Sequence, residues 1–177
     1  MLLFAHTGIA LAAGRFSKNV DLLFLAIGSM LPDLIDKPLG WMIYGTPNMG
    51  RIFAHTLLFL LILAAVALYS KDIRIASLAA GVSIHLLLDF MWLSPVILLW
   101  PMLGSFPQAP YVDALSYMEM LLLALKKPWV LVPECLGLAY LIYLAVERKP
   151  KTMEHFKRFE AYFHQQCHRI KALVEDF

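Results

Sequence analysis

The chain has 177 residues, 60% of them hydrophobic and only 16% charged, with a formal net charge of +2 and a mean hydropathy of +0.69. A soluble domain is about 45–50% apolar and about 25% charged, so this composition excludes an ordinary soluble domain and indicates an integral membrane protein. The near-neutral balance gives no reason to expect a nucleic-acid partner, and Cys135 and Cys167 form neither a disulfide framework nor a CxxC motif.

In chain order, Leu2 to Ala13 reads as a short apolar helix, but without the basic start of a signal peptide. Arg15, Lys18 and Asp21 make a polar turn. Val20 to Leu31 reads as a second short helix, stopped by Pro32. Asp33 to Arg51 is rich in Pro and Gly and reads as a loop with a short apolar piece near Trp41. Two blocks follow, Ile52 to Tyr69 and Ile75 to Trp92, joined by a turn at Lys71, Asp72 and Arg74. A third block runs from Trp129 to Val146. Each is near the 17–25 residues that cross a bilayer as a helix. Pro95 to Leu103 is too short to cross and suits a re-entrant or interfacial piece. Tyr111 to Lys127 reads as amphipathic.

The expected architecture is therefore all-α: a polytopic helical membrane bundle of about four or five membrane helices, two of them short, over residues 1–146. Residues 147–177 form a separate basic, amphipathic C-terminal helix. In that tail Phe156, Phe159, Phe163, Cys167, Ile170 and Val174 alternate spacings of three and four, one apolar stripe on a helix from Thr152 to Val174. The stripe suits membrane lipid, the bundle or a second copy of the chain. Arg15, Lys18, Lys71, Arg74, Arg148, Lys149 and Lys151 fall on one side if the helices alternate. The positive-inside rule makes that side cytoplasmic, with the C-terminus there. Lys37, Arg51, Lys126 and Lys127 lie opposite.

Ionisable groups inside such blocks are expensive and mark functional sites. The tetrapeptide Phe-Ala-His-Thr occurs twice, at Phe4–Thr7 and Phe53–Thr56. Each copy is followed by an apolar hairpin and a polar pair, first Asp33 and Asp36, then His85 and Asp89. Gly28 and Gly81 precede the pairs at similar distances, as close helix packing requires, and the two halves read as a possible tandem repeat. In an up-and-down bundle His6, Asp33, Asp36, His55, His85 and Asp89 all fall at one end, away from the cytoplasm. His85 and Asp89, four apart, share a helical face. Histidine and carboxylate together suit zinc, manganese or iron, as one or two ions. Each group also has a plainer reading, as a packing histidine or a helix cap. His155, His164 and His168 read as surface residues of the tail, and Glu134, after Pro133, has no assigned role.

The order of these elements resembles the LexA-regulated, membrane-bound, metal-dependent hydrolase family. The likeness rests on His6-Thr7, Gly28-x4-Asp33 after Pro32, Arg51-x3-His55-Thr56 and His85-x3-Asp89 before a Pro-containing apolar stretch, and covers about Met1 to Pro101. The resemblance implies a divalent metal and hydrolysis. The His-x3-Asp element is also similar to a ligand pair of the zinc-dependent phospholipase C and P1 nuclease class. On this reading His6, Asp33, His55, His85 and Asp89 hold the metal, with Asp36 a sixth ligand or general base. Arg51 holds an anionic group or snorkels to the interface. The expected reaction is attack of metal-activated water on a lipid-like or amphiphilic ester, a phosphoester first. A transport or sensing site for a divalent ion or protons is the alternative, and a purely structural cluster the third.

Overall fold

The structure is a computed structural model and describes residues 3–147. The expected C-terminal helix, with Cys167, His155, His164 and His168, lies outside the described residues. Those residues contain helices and no strand. The helices are α1 (Leu3–Gly14), α2 (Leu22–Tyr44), α3 (Leu57–Ser70), α4 (Ile73–Leu88), α5 (Pro95–Leu98) and α6 (Ala114–Ala124), then α7 (Pro128–Glu147). Short 3-10 turns occupy Pro47–Met49, Phe53–His55 and Met91–Leu93. One compact unit ends at Tyr140; a second begins at Leu141, of which the described residues are the end of α7.

The starts are set by side-chain caps. Asp21 accepts from the amides of Leu23 and Phe24, Asp72 from that of Arg74, and Asp113 from those of Leu115 and Ser116. Each carboxylate satisfies amides that have no partner inside the helix and meets its positive end. Asp72 also grips the Arg74 guanidinium, which holds its carboxyl below the ordinary aspartate range.

The loop expected from Asp33 to Arg51 is a correction. Helix α2 continues through Pro32 and Pro38 to Tyr44 and ends at Gly45, whose left-handed φ of 69° suits glycine. Proline removes one amide donor and so favours a stop. Here the buried face outweighs it: Leu25, Gly28, Ser29, Pro32, Asp36 and Gly40 recur at helical spacing across the break. The Gly28 and Gly81 expectation holds. A β-carbon on Gly28 would lie 2.1 Å from the Leu78 carbonyl oxygen, and one on Gly81 2.3 Å from that of Leu25. Backbone therefore meets backbone where α2 crosses α4.

Two further expectations change. The Phe-Ala-His-Thr copies do not share a conformation. The first lies inside α1; the second forms the 3-10 turn Phe53–His55, after which the Thr56 hydroxyl caps α3 by accepting from the Phe59 amide. The polar pairs differ too, since Asp33 and Asp36 are mid-helix while Asp89 follows the end of α4. As for spans, α7 is the helix in the described residues that is long and apolar enough to cross a membrane. A second results if Pro47–His55 and Leu57–Ser70, bent by 41°, count as one. Helices α1, α3 and α4 have 12, 14 and 16 residues. At about 1.5 Å per residue they reach roughly 18–24 Å, short of a hydrocarbon core about 30 Å thick.

Candidate metal centre

The site is assembled from four pieces of chain. Helix α1 supplies His6, α2 supplies Asp33 and Asp36, the 3-10 turn before α3 supplies His55, and the end of α4 supplies His85 and Asp89. His55 and His85 are wholly buried, and His6 nearly so.

Each central histidine is oriented through its far nitrogen. His55 Nδ1 donates to Asp36 Oδ2 at 2.7 Å, and His85 Nδ1 to the Ser29 carbonyl at 2.7 Å. A carbonyl only accepts, and a carboxylate oxygen at this distance accepts from a ring N–H, so each Nδ1 carries a proton and, in the neutral ring, each Nε2 presents a lone pair. Those two Nε2 atoms face each other at 3.2 Å. Two lone pairs at that distance repel unless a shared proton or a metal ion lies between them. Two ligands of a tetrahedral zinc, each at about 2.0–2.1 Å, are about 3.3–3.4 Å apart. The observed spacing therefore fits a metal.

The remaining groups close around this pair. The His6 ring stacks on His85, centroids 4.1 Å apart, and His6 Nε2 lies 3.2 Å from Asp89 Oδ1. Asp33 Oδ1 is 3.6 Å and Asp89 Oδ2 4.0 Å from His55 Nε2. Two overlapping sets offer ligand atoms within 4.8 Å of one another: His6, His85 and Asp89, and Asp33, His55 and His85. They share His85, whose single open nitrogen serves one ion.

Asp36 is placed differently from the other five. It is fully buried, and it accepts from the amides of Ile52, Ala54 and His55 as well as from the His55 ring. Its two oxygens are thus engaged by four N–H groups. Asp36 therefore holds the His55 ring and tightens the turn that carries it.

Arg51 and Lys37 stand at the mouth. Arg51 Nη2 meets Asp89 Oδ2 at 2.7 Å, and Lys37 Nζ meets Asp33 Oδ2 at 2.6 Å. Both cations are half-exposed and line an open cleft of about 390 Å³, together with Asp33, Asp89, Ile97, Tyr117 and Leu121.

Three contributors had no usable signal in the sequence. The Ser29 carbonyl is a backbone group. Lys37 is visible only once α2 is known to continue, because it sits four residues after Asp33. Glu134, on α7, accepts from the amides of Phe4 and Ala5 at 3.1 and 3.3 Å. It thereby caps the first turn of α1, just before His6. Beside it Gly137 and Gly8 bring the two backbones together: a β-carbon on Gly8 would lie 2.3 Å from the Gly137 carbonyl oxygen.

The described residues are thus all-helical, with one helix, α7, long and apolar enough to cross a membrane and a buried group of histidines and aspartates that could hold a metal. The chain belongs to the YdjM inner membrane protein family, whose sequence model matches residues 2–151. The match extends beyond the resemblance read from the first hundred residues and takes in α6 and α7. No curated protein and no solved structure matches the chain.

Proposed function

We propose that this inner-membrane protein is a metal-dependent hydrolase acting on an ester of a lipid-like amphiphile. The observation that carries the reading is the pair of facing Nε2 atoms on His55 and His85, each with its Nδ1 proton committed elsewhere. His6, His55, His85 and Asp89 are the proposed ligands of one divalent ion, zinc first, with Asp33 a fifth. The ion would supply Lewis acidity and an activated water.

The chain's own residues do the rest. Asp36 and the Ser29 carbonyl keep the two rings turned inward. Asp33, which lines the cleft, would accept the attacking water's proton on the carboxylate oxygen that it does not give to the ion. Arg51 orients an anionic group of the substrate, and the proton returns to the leaving alcohol, so the ester yields an acid and an alcohol. Exposed apolar side chains along the helices, such as Leu23, Ile27 and Leu34 on α2 and Leu61, Ile62 and Val66 on α3, support embedding of several helices in lipid. The proposed topology keeps the basic turns and the C-terminus cytoplasmic and the site on the other side.

The test is metal content per chain of protein purified in detergent, followed by assay on phosphoester and carboxyl-ester amphiphiles with and without chelator. One equivalent of metal and chelator-sensitive cleavage are expected. Protein without metal would overturn the centre. Metal with ion flux in liposomes and no cleavage would replace the hydrolase by a transporter.

A further inference from the structure

The two carboxylates that line the cleft are each paired with a cation. Asp89 has Arg51, and Asp33 has Lys37. Both cations line the same cleft, and the Lys37 stem packs against Gly50, the residue before Arg51: a β-carbon there would be 3.0 Å from Lys37 Cγ. With no metal bound, each of these cations is engaged by its carboxylate. A divalent ion bound by both carboxylates neutralises them, weakens their hold on the two cations and leaves the cleft with surplus positive charge.

We infer that the cleft is a phosphate-binding site switched on by the metal, with Lys37 and Arg51 as the residues that hold the anion. The inference rests on the metal-centre reading and deepens it. Three positive centres around one cleft suit a tetrahedral anion with three terminal oxygens; a planar carboxylate offers two. Arginine supplies a planar fork of donors and lysine a compact charge. Coupling between two ligands is reciprocal, so phosphate must tighten metal by the factor by which metal tightens phosphate. Such couplings are typically about 5–150-fold.

The cations also compete with the metal for the carboxylates. Removing either should leave zinc affinity in the absence of phosphate unchanged or raised, while abolishing the effect of phosphate. A purely structural pair of salt bridges predicts neither.

The experiment is equilibrium dialysis of zinc against the full chain in an uncharged detergent, with no anion, inorganic phosphate, acetate or a short-chain phosphatidic acid. Phosphate is expected to tighten zinc at least fivefold and acetate less than twofold. Tightening by phosphatidic acid as well assigns the site to a lipid headgroup; tightening by inorganic phosphate alone assigns it to a soluble phosphate. Lys37→Gln and Arg51→Gln should each bind zinc as well as the wild type and lose most of the tightening. An equal effect of acetate, no effect of phosphate on the wild type, or full tightening in both variants would overturn the inference. A wild type that binds no zinc at all identifies the metal reading as the failure and takes the inference with it.

Discussion

Asp36 and His55, nineteen residues apart, form one rigid unit, in which a single carboxylate holds the His55 ring and the amide of the same residue. The carboxylate also binds the amides of Ile52 and Ala54, so the turn and the ring it carries are fixed together.

Replacing Asp36 by Asn therefore strikes both. An amide cannot accept at its nitrogen, and at least one buried N–H loses its partner. The loss is expected to cost about 1–3 kcal/mol of stability. Metal affinity should fall about 10–100-fold, as when an outer partner of a ligating histidine is removed. Thermal melts in detergent and zinc dialysis on one preparation separate the two effects. Unchanged zinc affinity in a folded variant would show that His55 is not a ligand.

Asp89→Asn removes charge and keeps shape. Asp89 follows the end of α4 and asparagine fills the same space, so the variant should fold. It should bind zinc more weakly and lose cleavage of any substrate the wild type hydrolyses. Metal content measured beside the wild type decides it; equal content removes Asp89 from the centre.

Gly28→Ala places a methyl group against the Leu78 backbone, where nothing flexible can give way. The expected cost is about 1–3 kcal/mol, from forced separation of packed elements. The same separation carries the Ser29 carbonyl away from His85, so zinc affinity should fall with stability. Gly45→Ala has open space around its β-carbon and only its positive φ to oppose it. It should destabilise by a smaller amount, about 1 kcal/mol, and leave zinc binding intact. Melting temperatures and zinc affinities of the two variants, compared directly, test this ordering.

Glu134→Gln keeps one oxygen to accept from Phe4 and Ala5; Glu134→Leu keeps none. The leucine variant is expected to lose about 0.5–2 kcal/mol, the range for a lost helix cap, and the glutamine variant less. Cobalt-loaded protein gives the positional readout. The visible spectrum should change in Glu134→Leu as His6 drifts and recover largely in Glu134→Gln. Identical spectra in all three would limit Glu134 to holding α1 in place without affecting the centre.

Much of the centre was legible because it is written in side chains with few other uses in an apolar chain. Histidines 6, 55 and 85 and aspartates 33 and 89 stand out against leucine and alanine, and the structure gathers them. The role of Asp36 was not legible, since its partners are mostly backbone amides, which leave no mark on sequence. The course of α2 was misread because proline is a strong local signal, while the buried face that overrides it becomes visible only over five turns. The repeat misled for a similar reason. Four identical residues take a helix in one place and a 3-10 turn in the other, because Asp36 reaches only the second copy. The block from Ile52 to Tyr69 was read as one helix because it is continuous in hydrophobicity, although its backbone bends before Leu57.

The carboxylate that caps α1 follows Phe4 by 130 positions. During synthesis the first helix emerges with His6 long before the residue that anchors it exists. A nascent chain ending before Pro128 already contains all five proposed ligands, yet its first helix has no anchor at its start. Completion of the site is thereby tied to arrival of the final long apolar helix, and a prematurely terminated product should be poor at trapping metal.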